Sequence, residues 1–179
     1  MGGVGLTPRV VLVTGGARSG KSRFSETRLG ELAPGGPWLY VATAEAREDD
    51  EMKVRIARHQ SRRGAAWRTV EAARDVAAVL GAPGAAGVLV DCVTLWLTNL
   101  LLDGATDEAL LAAADTLGAA ARACPVPVVL VTNEVGAGIV PEHPLGRRFR
   151  DLAGLVNQRL AAAADEVVLV ACGLSVRLR

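Results

Sequence analysis

Short apolar runs recur along the chain, separated by longer segments of mixed polarity. Residues 9–14 read Arg-Val-Val-Leu-Val-Thr, with no polar alternation, the pattern of a strand buried on both faces of a parallel sheet. A helix is predicted from Ser22 to about Ala33, then a second strand over Trp38–Thr43. From about Glu48 to Arg63 acids give way to bases, which matches the helix macrodipole and predicts a helix there. Gly87–Asp91 is a third buried strand, and Val126–Thr132 a fourth after a long alanine-rich helix. Another helix covers Arg147–Ala164. Glu166–Ala171 and Leu174–Leu178 flank Cys172-Gly173, which predicts a closing antiparallel hairpin at a sheet edge. Gly81–Gly87 reads as a loop. Alternating strands and helices imply an α/β fold with a mostly parallel sheet flanked by helices. Residues 1–8 read as a loose tail and 9–179 as one domain.

Composition narrows the function classes. Half of the 179 residues are hydrophobic, but much of that is alanine, and the runs Leu100–Leu102 and Val167–Ala171 are far shorter than the roughly 20 residues of a membrane span. The first eight residues lack the charged and apolar regions of a signal peptide, so a cytoplasmic enzyme is expected. A net charge of +1 provides no basic field for a nucleic-acid backbone, and aromatic residues are too scarce for a base-stacking platform. Cys92, Cys124 and Cys172 form no CxxC pair and are expected as buried free thiols.

The segment Gly15-Gly16-Ala17-Arg18-Ser19-Gly20-Lys21-Ser22 fits GxxxxGK[ST], between a buried strand and a helix. Glycine lets the backbone curl so that successive N–H groups converge on phosphate oxygens, and the helix start adds its positive dipole end. In this setting Lys21 reaches the β- and γ-phosphates of a nucleoside triphosphate, and the Ser22 hydroxyl can ligate Mg2+. Asp91, closing a buried strand, supplies the carboxylate such a metal site requires; the alternative is a strand-end or helix-capping residue. Arg18 fits either a phosphate contact or a solvated side chain.

The chain has two histidines. On the predicted helix, Met52, Ile56, His59 and Arg63 share one face. Arg55, Arg58, Arg62 and Arg63 around His59 would keep an imidazole neutral and nucleophilic and attract a triphosphate. An incidental histidine on a solvated basic helix is the competing reading. His143, in Pro141-Glu142-His143-Pro144, is read as a surface loop residue with no site around it.

Taken in order, several motifs resemble the bifunctional adenosylcobinamide kinase/adenosylcobinamide-phosphate guanylyltransferases of cobalamin biosynthesis, from Val10 to the C-terminal residues. They are the loop Thr14–Ser22, the run Asp49-Asp50-Glu51-Met52 leading to Arg55-Ile56-x-x-His59, and Trp67-Arg68-Thr69-x-Glu71. Asp91-Cys92-x-Thr94-x-Trp96-x-Thr98-Asn99 and Thr132-Asn133-Glu134-Val135-Gly136-x-Gly138-Ile139-Val140-Pro141-Glu142 follow. Phe149-Arg150-Asp151-x-Ala153-Gly154-x-Val156-Asn157-Gln158 is the last.

The resemblance implies a RecA-like P-loop fold and a homotrimer. It implies phosphorylation of adenosylcobinamide by ATP or GTP, then transfer of GMP from GTP to adenosylcobinamide phosphate through a guanylylated histidine, which matches His59. Nucleotide contacts carry over to Gly15, Gly16, Ala17, Arg18, Ser19, Gly20, Lys21 and Ser22, to Ala42, Thr43 and Ala44, to Gln60, Ser61, Arg62 and Arg63, and to Glu71 and Asp91. His143 stands where the family leads one to expect asparagine. Two alternatives compete: an enzyme keeping one activity only, such as the guanylyl transfer, and an NTP-driven switch or motor on a RecA-like core.

Overall fold

The computed structural model describes residues 9–45 and 64–179. Seven strands form one sheet: β1 (Val10–Thr14), β2 (Trp38–Ala42), β3 (Trp67–Glu71), β4 (Gly87–Asp91), β5 (Val128–Val131), β6 (Glu166–Ala171) and β7 (Leu174–Arg177). Their order across the sheet is β3-β2-β4-β5-β1-β6-β7. All neighbours are parallel except β6 and β7, which close the edge as an antiparallel hairpin. The described helices are α1 (Lys21–Leu32), α2 (Val76–Gly81), α3 (Val93–Leu102), α4 (Asp107–Ala123) and α5 (Pro144–Ala163). This is the α/β class that the pattern of apolar runs predicts, including the edge hairpin.

The central strands are apolar throughout because they are covered on both sides. On one face Val11, Val13, Leu89, Val129, Val131, Val168 and Val170 pack with Leu29 of α1, assisted by Phe24 and Leu32. On the other, Val10, Leu12, Val88, Val90, Val128 and Leu130 meet Leu97, Leu110, Leu117, Val156 and Leu160 from α3, α4 and α5. Each fully buried leucine of this kind contributes about 1.5–3 kcal/mol. Both layers are bound to β1, so the strand leading into the glycine-rich loop has little freedom to move.

Two expectations need correction, on the alanine-rich helix and on Cys172, and two further features go beyond the sequence pattern. Trp67–Glu71 is a strand, β3, although it is half polar; as an edge strand it leaves Arg68, Thr69 and Glu71 exposed. The single alanine-rich helix is two, α3 and α4, parted by a turn at Gly104, whose φ is 88°; Thr106 then caps α4 by accepting the Ala109 N–H at 3.3 Å. Cys172 is exposed, because it occupies the tight β6–β7 turn with φ 53°, whereas Cys92 and Cys124 are buried as expected. His143 is an exposed loop residue as expected, and it is also the N-cap of α5: its Nδ1 accepts the Leu145 N–H at 3.3 Å, with Pro144 in the first turn. No helix among the described residues is long and apolar enough to cross a membrane.

Candidate active site

The glycine-rich loop leaves β1 at Thr14 and enters α1 at Lys21. Two glycines in it answer to different demands. A β-carbon on Gly15 would lie 2.3 Å from the Val170 carbonyl oxygen and 2.8 Å from Ser19 Oγ, so β6 leaves no room for one. Gly20 caps α1 in the left-handed region at φ 99°, which a side chain would strain.

The turn is braced internally by the Ser19 N–H donating to Gly16 O at 3.3 Å and the Phe24 N–H donating to Gly20 O at 3.0 Å. It is also gripped from two sides. The Glu134 N–H, just past β5, donates to Gly15 O at 3.1 Å, and the Gly173 N–H of the hairpin turn donates to Ser19 O at 2.9 Å. Arg18, at φ 56°, is exposed.

Lys21 is 9% accessible, and its ammonium donates to Gly16 O at 3.0 Å, folded across its own loop. The hydroxyls of Thr14 and Ser19 are buried and have no hydrogen-bond partner among the described residues. A buried hydroxyl left unpaired costs about 1–3 kcal/mol, so two of them, at the end of β1 and in the loop it leads into, leave hydrogen-bonding capacity beside the cradle.

Opposite the loop, Asp91 Oδ2 accepts from the Ser22 hydroxyl at 3.2 Å and from the Tyr40 hydroxyl at 3.0 Å. Both oxygens that the sequence assigns to Mg2+ are therefore adjacent. A hydroxyl and one carboxylate beside a phosphate cradle suit an ion that keeps most of its water and takes phosphate oxygens. No group of three or more His, Cys, Asp or Glu able to hold a metal occurs among the described residues, so this fit is to a phosphate-assisted ion and not to a protein cage.

A second tier of bonds holds Asp91 in place. The Thr43 hydroxyl donates to Cys92 O at 2.8 Å and accepts the Cys92 N–H at 2.7 Å, while the Thr43 N–H donates to Asp91 O at 3.3 Å. Asn99 of α3 donates to Thr43 O at 2.9 Å and to Ala73 O at 3.0 Å, and the Trp96 indole donates to Arg74 O at 2.8 Å. Thr94 accepts the Asn133 N–H at 2.7 Å, Thr132 donates to Asn157 Oδ1 at 2.8 Å, and Asn157 donates to Asn133 O at 3.3 Å. These polar motif residues thus pin the C-terminal ends of β2, β4 and β5 to α3 and α5. Burial, and secondarily the Asp91 charge, pushes the Cys92 thiol up to about 11, which leaves it protonated and unreactive. Arg74 bridges Asp103 and Glu45, and its guanidinium is held above its ordinary value first by the Asp103 hydrogen bond and then by Glu45.

The register sorts the predicted contacts. Glu71, Ala42, Asp91, Val131 and Val13 form one row across β3, β2, β4, β5 and β1. Gly15–Ser22 and Asp91 come together, and Thr43 joins them through the backbone of Asp91. Glu71 is four strand spacings from β1, roughly 19 Å, and so lies beyond the phosphate cradle itself. It borders a cavity of about 490 Å³ shared with Arg74, Asp75 and Val79. His59, Gln60, Ser61, Arg62 and Arg63 lie outside the described residues.

Tyr40 and the Gly173 clamp escape sequence reasoning. Tyr40 sits in an apolar strand 51 residues from the carboxylate it touches, and only its alternation with Leu39 and Val41 hints at a different face. The hairpin's glycine is visible as a turn, but its bond to Ser19 is not.

A family model described as cobinamide kinase / cobinamide phosphate guanyltransferase matches residues 11–178. The bifunctional adenosylcobalamin biosynthesis protein CobU of Salmonella typhimurium is 50% identical over 184 residues, covering 95% of this chain and 99% of that protein. CobU of Escherichia coli is 46% identical over 185 residues, with 95% and 99% covered. CobP of Pseudomonas aeruginosa, of the same description, is 44% identical over 177 residues, with 94% and 96% covered.

Proposed function

The chain belongs to the cobinamide kinase / cobinamide phosphate guanyltransferase family, enzymes of cobalamin biosynthesis, and on that footing we propose that one phosphate cradle serves both reactions. In the kinase step the aminopropanol hydroxyl of adenosylcobinamide attacks the γ-phosphorus of ATP or GTP. The bond to the bridging oxygen breaks, the nucleoside diphosphate leaves, and the hydroxyl proton passes to solvent. In the second reaction the imidazole of His59 attacks the α-phosphorus of GTP and pyrophosphate leaves. An oxygen of adenosylcobinamide phosphate then displaces the histidine, giving adenosylcobinamide-GDP. A covalent relay divides a substitution between two anions into two easier displacements.

The observation that carries this reading is the cradle: Lys21 folded across its loop, beside the buried Thr14 and Ser19 hydroxyls that have no partner among the described residues, facing the Ser22–Asp91 pair. Lys21 moves from Gly16 O to the phosphate oxygens, and the N–H groups of the loop bind the same charge. Mg2+, held by Ser22 and Asp91, would supply charge neutralisation on the triphosphate. Tyr40 and Thr43 orient Asp91. The nucleotide contacts at Ala42, Ala44, Gln60, Ser61, Arg62, Arg63 and Glu71 rest on family resemblance. So does the homotrimer, which Leu174 and Val176, exposed on edge strand β7, and Leu178 just past it support. A cytoplasmic setting belongs to the same reading, and cysteines free of disulfides accord with it.

Incubation with GTP labelled at the α-phosphate, without corrinoid, followed by intact-mass analysis and peptide mapping, tests the relay. One GMP is expected on His59, lost in mild acid and stable in alkali as a phosphoramidate is. His59→Ala removes the label and guanylyl transfer but retains phosphorylation of adenosylcobinamide; His143→Ala labels normally. A label on His143 or Lys21 refutes the assignment.

A further inference from the structure

The cradle is built for a nucleotide, yet the corrinoid must be held beside it. Cobinamide is a broad disc with apolar, methyl-rich faces and an amide fringe, so its binding site needs an apolar shelf with polar groups at the rim. Among the described residues the most exposed large hydrophobic side chain is Ile139, 96% accessible, and its neighbour Val140 is 57% accessible. Both lie in the segment linking β5 to α5, at the C-terminal ends of the strands, where open α/β sheets bind their ligands.

That segment is fastened at both ends. At its root the Glu134 N–H bonds Gly15 O of the phosphate loop at 3.1 Å, while the Glu134 carboxylate accepts the Gly136 N–H at 3.1 Å. At its far end Pro141 packs on Gly146, and the Arg147 guanidinium donates to Pro141 O at 3.0 Å and to Glu142 O. The five residue steps from Glu134 to Ile139 span at most about 18 Å, so the apolar pair stands within one large substrate's length of the phosphate loop. A second copy of the chain has another apolar surface available at Leu174, Val176 and Leu178, on the far edge of the sheet.

We propose that residues 134–141 form the corrinoid shelf, with Ile139 and Val140 against an apolar face of cobinamide while its aminopropanol arm reaches toward Lys21. The proposal rests on the family reading above and adds the subsite that reading lacks.

The test is the double variant Ile139→Ser/Val140→Ser, with cobinamide as the probe. Equilibrium binding is followed by tryptophan fluorescence quenching, beside turnover, GTP self-labelling and sedimentation. Cobinamide affinity and the corrinoid KM should weaken roughly tenfold or more. Self-labelling should stay within about twofold, since it involves no corrinoid. Sedimentation should be unchanged, and Ile139→Leu should keep wild-type binding. Unaltered affinity in the double variant overturns the shelf, as does a parallel loss of assembly, which would make the patch a contact between copies. Wild-type protein that binds cobinamide without turning it over refutes the activity and leaves the shelf standing; protein that neither binds nor turns over refutes both.

Discussion

Replacing Gly15 by alanine inserts one methyl group at the point where the phosphate loop presses on β6. The new carbon would stand 2.3 Å from Val170 O, far inside van der Waals contact. The obstacle is backbone in a strand paired on both sides, to β1 through Leu169 and to β7 through Ser175, so it cannot swing aside as a side-chain tip would. Overpacking of this kind costs about 1–3 kcal/mol. In a chain of this size each kcal/mol lowers the melting temperature by about 2–4 °C, so a fall of roughly 2–12 °C is expected. Gly16→Ala is the internal control, because a β-carbon there meets nothing within 4 Å. Its stability should stay within about 0.5 kcal/mol of wild type. Thermal unfolding by circular dichroism, run without nucleotide, separates the two. Equal melting temperatures for the two variants would show that the loop is not braced by β6, and the argument from close approach would fail.

Lys21→Ala should abolish both reactions by several powers of ten while leaving the circular dichroism spectrum intact; near-normal turnover would remove the loop as the working site. Asp165 accepts the N–H groups of Arg9 and Val10, both at 2.9 Å; burial opposes the carboxylate, but these bonds win and hold its pKa below the ordinary 3.8. Its stabilisation is therefore present above that value and is lost as pH falls through the depressed folded one. Asp165→Asn should melt below wild type at neutral pH, and the gap should close in strong acid; a gap independent of pH refutes the charge as its source. Of the three cysteines, only the exposed Cys172 should react quickly with an alkylating reagent on the native protein, read by mass spectrometry. Fast modification of Cys92 would contradict its burial and its raised pKa of about 11.

What was legible beforehand follows the range of the interactions involved. β1, β4 and β5 announce themselves because burial on both faces removes every polar residue from a short run. The phosphate loop is legible because its chemistry is local, with backbone, lysine and hydroxyl all supplied by eight consecutive residues. β3 is not, since an edge strand with Arg68, Thr69 and Glu71 in water has no unbroken apolar signature. The break between α3 and α4 is hidden because leucine recurs on both sides of Gly104. Thr43, Asn99 and Trp96 form part of motifs, but their work spans separations of 49, 56 and 22 residues, which no local pattern reveals. His143 looked incidental because a side chain capping a helix resembles any polar residue before a proline.

The strand that carries the phosphate loop is made early and completed late. β1 has only two neighbours in the sheet, β5 and β6, and both lie more than a hundred residues downstream. During vectorial synthesis the first strand therefore has no partner until nearly three-quarters of the chain has emerged, and β2, β3 and β4 can pair among themselves before it does. The loop's last tie, from Gly173 to Ser19, must wait longer still. Contacts of such long range slow folding and leave an apolar strand edge open to wrong partners in the meantime. A ribosome-stalled series of lengthening nascent chains should accordingly show nucleotide-dependent protease protection only after the β6–β7 hairpin has left the exit tunnel.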